Sequence, residues 1–203
     1  MRTNVGQVGK LATRGLAACG FALVAVFLSV TDVSAQAAPL SGIFELGTDL
    51  GFASFQARAA NGSCSGAAHD LYVNALRQAR ALSASWEEEP LSTLSDCSDG
   101  DAVDAARSAI AVLIGKSYPT DPAYQHAYNL GVNLAIAEAQ TTAGEPARQI
   151  VYISLSNAKP DADALKLDIT TLVECISLAE GQSPLQEVHS KLVTLRSVYK
   201  ASL

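Results

Sequence analysis

Residues 165–199, LKLDITTLVECISLAEGQSPLQEVHSKLVTLRSVY, show the clearest helical pattern in the chain. Apolar residues recur there at alternating steps of three and four, which places each series on one face of a helix. The two series are Leu165, Ile169, Leu172, Ile176, Ala179 and Leu185, Val188, Leu192, Leu195, Tyr199. Between the two series, Gly181 is typical of a helix end. Ser183 and Gln186 then form a capping box, in which Pro184 is expected as the first helical residue. The spacing therefore predicts an antiparallel helical hairpin.

The same periodicity predicts helices through the rest of the chain. They cover residues 43–60, 67–86, 102–116 and 123–142. The second of these is expected to bury Leu71, Ala75, Ala79, Leu82 and Trp86, and the third Val103, Ala106, Ile110 and Leu113. Residues 147–157 are ambiguous, because Ile150 to Ile153 favours a strand whereas the helical neighbours favour a short helix. The expected fold is all-α, a compact bundle of about six to seven amphipathic helices.

Two segments of the chain resemble each other. Residues 44–56, FELGTDLGFASFQ, align without gaps to residues 128–140, YNLGVNLAIAEAQ, and an aromatic residue opens both. One interpretation is an ancient duplication, in which two equivalent helices meet at a pseudo-twofold axis. The other is a chance likeness of two alanine-rich amphipathic helices, since the similarity fades beyond this element. Both interpretations stay open at the level of sequence.

Small residues sit four apart in both segments, as Gly47 and Gly51 in the first and Gly131 and Ala135 in the second. Residues at this spacing lie on one face of a helix, one turn apart. Glycine inside a helix costs about 1 kcal/mol against alanine. A close approach of two helix backbones would offset that cost. We therefore expect these four positions to be helix-packing residues.

The N-terminus has the order of a secretory signal peptide. Arg2, Lys10 and Arg14 precede an apolar run at residues 15–30, and small residues follow at 33–37. The run is short for a membrane span, which needs roughly 20 residues. We expect cleavage after residue 35, which leaves residues 36–203 as a single helical domain in the periplasm or outside the cell. No second apolar run long enough to span a bilayer follows, so no membrane span is expected in the mature chain.

The charge of the chain restricts its partners. The formal net charge is −6, and residues 1–35 hold three of the 14 basic residues but a single acidic one. Residues 36–203 therefore carry eight more acidic than basic side chains. Such a charge repels phosphate backbones and anionic lipid surfaces. Nucleic acid is excluded as a partner, and a protein partner or a homo-oligomer is expected instead.

Three cysteines remain beyond the predicted leader. Cys64 and Cys97 lie in polar, turn-rich segments, whereas Cys175 lies among apolar residues. Export makes a disulfide plausible. We predict a Cys64–Cys97 bridge and a buried free thiol at Cys175, although one sequence does not fix the connectivity.

Residues that could hold a metal are few. His69, His126 and His189 each fall in a different predicted helix, and helical bundles do build metal sites from facing helices. None of the three has a second ligand three or four residues away, so they are weak candidates and no cofactor is expected. The acidic stretch at residues 96–104 has oxygen ligands suited to calcium. A helix start capped by Asp99 or Asp101 explains it better.

Catalytic motifs are missing from the sequence. The chain has no G-x-S-x-G motif and no cysteine beside a plausible base. The first hypothesis is therefore an exported, non-enzymatic interaction or scaffold module of the cell envelope. The alternative is a bundle that holds a small apolar molecule or a metal ion between its helices, which needs inward polar groups near His126 or Tyr128. A hydrolase with an unrecognised site is the third hypothesis.

Overall fold

The fold is an all-α bundle, as expected. The computed structural model describes residues 39–82, 91, 97–176 and 184–203. In these ranges the chain forms seven α-helices and one short 3₁₀ turn, Glu145–Ala147. The helices are α1 (Leu40–Ala59), α2 (Ala67–Leu82), α3 (Gly100–Ser117), α4 (Ala123–Thr141), α5 (Arg148–Ala164), α6 (Thr170–Ile176) and α7 (Leu185–Ser202). All seven belong to one compact unit within residues 37–203.

Some of the sequence predictions fall outside the described residues. These are the predicted signal peptide at residues 1–35, the core positions Trp86 and Ala179, the helix end at Gly181 and the capping residue Ser183. Among the described helices, none combines the length and the apolar character that a membrane crossing requires.

Helices α1 and α4 form the centre of the bundle. They pack against each other, and α2, α3 and α7 pack against α1, while α5 and α7 pack against α4. Both central helices bury side chains on most of their circumference, including Leu46 and Leu50 from α1 and Leu130 and Leu134 from α4. A helix that is apolar nearly all round is expected in a core position. The outer helices are the amphipathic ones.

The buried faces of α2 and α3 are rotated slightly from the predicted ones. Helix α2 buries Tyr72 and Leu76, whereas the predicted Leu71 and Leu82 are only partly buried. Helix α3 buries Ile114 in place of the predicted Leu113. The apolar arc of a helix is wide enough for two neighbouring registers, and only the packing against α1 selects one of them.

Helix α5 confirms the short helix predicted at residues 147–157, although Ala147 belongs to the preceding 3₁₀ turn, and it extends further than predicted. It continues to Ala164 with Pro160 in its interior. The predicted start of the next helix at Leu165 is wrong, because Leu165 caps the end of α5 and Lys166 adopts a positive φ of 59°. Helix α6 begins only at Thr170, whose backbone N–H donates to the Asp168 carboxylate at 2.8 Å.

The start of α7 also differs from the prediction. Pro184 was expected as the first helical residue, but its ψ of 142° is extended and it occupies the N-cap position. Its carbonyl accepts hydrogen bonds from the backbone N–H groups of Glu187 and Val188. The buried face of α7 agrees with the prediction and comprises Leu185, Val188, Leu192 and Tyr199, with Leu195 partly buried.

Candidate functional site

The glycines predicted to pack lie where α1 crosses α4. A Cβ atom added to Gly47 would lie 3.1 Å from the carbonyl carbon of Tyr128 and closer still to its oxygen. A Cβ atom added to Gly131 would lie 3.2 Å from the carbonyl carbon of Phe44. Carbon atoms in ordinary contact are about 3.5–4.0 Å apart. The two backbones therefore meet at a distance that only glycine permits.

These contacts are reciprocal. Gly47 meets Tyr128 and Gly131 meets Phe44, and the alignment of residues 44–56 with residues 128–140 pairs Gly47 with Gly131 and Phe44 with Tyr128. One turn further along, a Cβ atom on Gly51 would lie 2.9 Å from Cβ of Ala135, its aligned counterpart. When two residues are in contact and their aligned counterparts are in contact as well, the two segments are related as by a twofold axis. This geometry favours the duplication interpretation.

The polar groups near His126 and Tyr128 are engaged within the protein. The Tyr128 hydroxyl donates to the carbonyl oxygen of Arg107 at 2.7 Å, and burial raises the pKa of this hydroxyl far above its usual value. His126 Nδ1 lies 2.8 Å from the Asp161 carboxylate. Burial raises the pKa of Asp161, against the lowering effect of its hydrogen bond with His126. These groups join α4 to α3 and α5.

The three histidines have different partners. His69 lies on the surface of α2, 3.7 Å from the Asp70 carboxylate. His189 on α7 has its Nδ1 atom 2.8 Å from the hydroxyl of Thr141 on α4. Across the described part of the chain, no group of three or more histidine, cysteine or acidic side chains is placed to hold a metal ion.

Cys64 and Cys97 lie at disulfide distance, with Cα atoms 5.6 Å apart. They join the turn after α1 to the segment before α3, and the backbone N–H of Gly100 donates to the carbonyl of Gly62 beside them at 2.8 Å. The prediction of a buried thiol at Cys175 is wrong, because this free cysteine is half-exposed. Within the described residues of α6, Leu172 and Ile176 are the buried ones, and Cys175 is not among them.

Residues 97–104, the described part of the acidic stretch, contain a helix cap and the first turn of α3. Asp99 is the N-cap of α3, and its carboxylate accepts from the backbone N–H of Ala102 at 2.8 Å. Asp101 lies in the first turn of α3, so Asp99 alone of the two predicted caps fills that role. Asp104 points instead toward α1, where it accepts a hydrogen bond from the Ser54 hydroxyl at 2.7 Å.

Asp104 belongs to a charged cluster that the sequence did not reveal. Arg58 donates to one of its carboxylate oxygens, and Arg107 lies 3.4 Å from the other. Burial alone would raise the pKa of Asp104, but the hydrogen bonds from Ser54 and Arg58 outweigh it and hold this pKa below its usual range. Asp104 and Arg107 stand three residues apart on one helix, which is a detectable pairing signal. The contribution of Arg58 depends on how α1 packs against α3.

Beside this cluster lies a groove of about 410 Å³, which we name the arginine groove. It is lined by Ser54, Phe55, Arg58, Ala59, Arg107, Ile136, Gln140 and Ile150. Four helices contribute to it, namely α1, α3, α4 and α5. Its volume falls in the range of about 300–1,000 Å³ typical of ligand pockets.

A second groove of about 430 Å³ runs between α6 and α7, and we name it the α6–α7 groove. It is lined by Asp168, Ile169, Thr171, Leu172, Glu187, Ser190, Lys191, Thr194, Leu195 and Val198. The lining combines the apolar side chains of Ile169, Leu172, Leu195 and Val198 with charged and hydroxyl side chains. Val198, which belongs to this lining, is 52% exposed.

No protein-family model, no curated protein and no solved structure matches this chain.

Proposed function

We propose that this protein is an exported, non-enzymatic interaction module of the cell envelope, and that it binds a partner protein through the α6–α7 groove. The observation that carries the proposal is the mainly apolar lining of this groove, with Val198 exposed on it. Ile169 and Leu172 form its floor and Val198 stands open at its edge. Export rests on the signal-peptide pattern of residues 1–35.

The groove has the composition of a protein interface. Such interfaces combine an apolar centre, which is withdrawn from water on binding, with a polar rim. The rim here contains Asp168 and Glu187 against one basic side chain, Lys191. Lys191 is already paired with Glu187 at 2.7 Å, so the rim keeps a net negative charge. The partner that fits is an amphipathic helix whose apolar face is flanked by basic residues.

The experiment compares three forms of the exported protein as affinity baits in an envelope extract, with quantitative mass spectrometry as the readout. The forms are the wild type, Val198→Asp and the control Val112→Asp. Val112 lies on α3 outside the groove and is 56% exposed, so its substitution matches that of Val198 in chemistry and exposure. Both variants should fold, because both side chains face solvent.

We expect a partner that is recovered by the wild type and by Val112→Asp, and recovered roughly tenfold less by Val198→Asp. Equal recovery with all three baits would contradict the proposal. A second copy of the chain as the partner would appear as a dimer in light scattering that Val198→Asp dissociates.

Export is tested separately by intact-mass analysis of the protein from its native host. We expect an unlipidated chain that begins at Gln36 or Ala38. Cys19 is the cysteine of the predicted leader. A mass that retains residues 1–35, or a diacylglycerol on Cys19, would contradict the proposed soluble, exported form.

A further inference from the structure

The lining of the arginine groove combines two arginines, Arg58 and Arg107, which we name the cationic end, with apolar side chains. It shares no residue with the α6–α7 groove. We propose that it binds a free long-chain fatty acid, with the carboxylate at Arg58 and Arg107 and the hydrocarbon chain on the apolar lining. This inference goes beyond the proposed protein interaction and does not depend on it.

The cationic end has an excess of positive charge. Two guanidinium groups, from Arg58 and Arg107, share the single carboxylate of Asp104. A guanidinium carries five N–H donors, and these two use only part of them on Asp104. The Arg58 side chain is 68% exposed, so its remaining donors reach solvent. In a chain of net charge −6, this is a local site suited to an anion.

The apolar part of the groove continues onto the surface of α5. Phe55 and Ile136 lie beside Ile150, which is 47% exposed, and Ile153 one turn further is exposed to the same extent. Residues three apart on a helix share one face. The chain of a bound amphiphile would cover both isoleucines, which are otherwise left against water.

The lining favours a hydrocarbon chain over a peptide. A bound peptide brings backbone N–H and C=O groups that need hydrogen-bond partners when they leave water. Besides the arginines, the polar side chains of the lining are Ser54 and Gln140. The Ser54 hydroxyl already donates to Asp104. A hydrocarbon chain needs no such partners, and a single carboxylate uses the guanidinium donors.

The test is calorimetric titration of the full-length purified protein with dodecanoate, below its micelle concentration. Matched probes are dodecyltrimethylammonium, which has the same chain and the opposite charge, and acetate, which has the carboxylate without the chain. We expect saturable binding of one dodecanoate, with either other probe at least roughly tenfold weaker. Equal affinity for the anionic and cationic probes would overturn the proposal.

Variants locate the site. Arg58→Gln should weaken dodecanoate binding roughly tenfold, because it removes one charge-assisted partner of the carboxylate. The control Arg80→Gln removes an exposed arginine on α2 and should bind like the wild type. Thermal melts of both variants check the fold. Unchanged affinity in Arg58→Gln would overturn the proposal.

Two further measurements separate the alternatives. Val198→Asp should bind dodecanoate like the wild type. Failure of the proposed protein interface therefore does not affect the fatty-acid proposal, and failure of fatty-acid binding does not affect the proposed interface. Tighter binding of the acetylated tetrapeptide amide Leu-Glu-Leu-Leu than of dodecanoate would assign the groove to a peptide and overturn the fatty-acid proposal.

Discussion

Replacing Gly47 by alanine tests whether the α1–α4 crossing holds the bundle together. The added Cβ atom would meet the backbone carbonyl of Tyr128, with 3.1 Å to its carbon. The obstacle is backbone, so no flexible side chain can move aside, and the two helices must separate. Overpacking of this kind costs up to about 3 kcal/mol. The higher helix propensity of alanine offsets up to about 1 kcal/mol of this loss in the free energy of unfolding.

The expected result is a net loss of about 2 kcal/mol in the free energy of unfolding. Gly115→Ala is the matched control, since Gly115 is an exposed glycine of α3 and a Cβ atom there would meet only the side-chain oxygen of Gln125, at 3.5 Å. This control should gain up to about 1 kcal/mol. The two substitutions are chemically identical, so the opposite signs isolate the effect of packing.

The assay is urea denaturation followed by circular dichroism, with the slope against denaturant compared among variants to check that the unfolding transition is unchanged. The double variant Gly47→Ala, Gly131→Ala should lose less than the sum of its single variants, because one separation of the helices relieves both clashes. A Gly47→Ala protein as stable as the wild type, beside a stabilised Gly115→Ala control, would refute the packing argument.

Three other predictions concern the thiols and a buried tyrosine. Removing the bridge with Cys64→Ser and Cys97→Ser should cost roughly 3–4 kcal/mol in the chain-entropy model, measured by urea denaturation against the oxidised wild type, and a peptide map that links Cys175 to either cysteine would contradict the pairing. Cys175 is half-exposed and should react with a maleimide in the native protein, as read by intact mass. Tyr128→Phe removes one hydrogen bond to the carbonyl of Arg107 and should cost about 1 kcal/mol in thermal unfolding; an unchanged melting temperature would speak against this role.

The existence of the helices could be predicted from the sequence because their apolar periodicity is strong. The face of α7 from Leu185 to Tyr199 agrees with the structure, since it alternates steps of three and four without interruption. The segment near Leu165 was assigned wrongly for a physical reason. Its periodicity continues across the turn at Lys166, where only the positive φ and the cap by Asp168 end one helix and start another.

The candidate sites were much less predictable than the fold. Arg58 and Asp104 are 46 residues apart in sequence, and their contact depends on the packing of α1 against α3. The periodicity of residues within one helix carries no information on a contact between side chains of two different helices. The same holds for the α6–α7 groove, which forms where α6 and α7 pack together.

Helices α1 and α7, which carry residues of the two proposed sites, pack against each other and against α4. Helix α1 provides Arg58 to the arginine groove, and it also contacts α7, which provides Val198 to the α6–α7 groove. Arg196 of α7 contacts both central helices. It donates to the Glu138 carboxylate on α4 at 2.9 Å, and its guanidinium carbon lies 5.2 Å from the ring centroid of Phe52 on α1. Glu138 is buried, so breaking this pair would leave an uncompensated charge. Arg58 of the arginine groove and Val198 of the α6–α7 groove therefore stand on helices that pack against α4. Support by packed helices limits the ordering cost of binding.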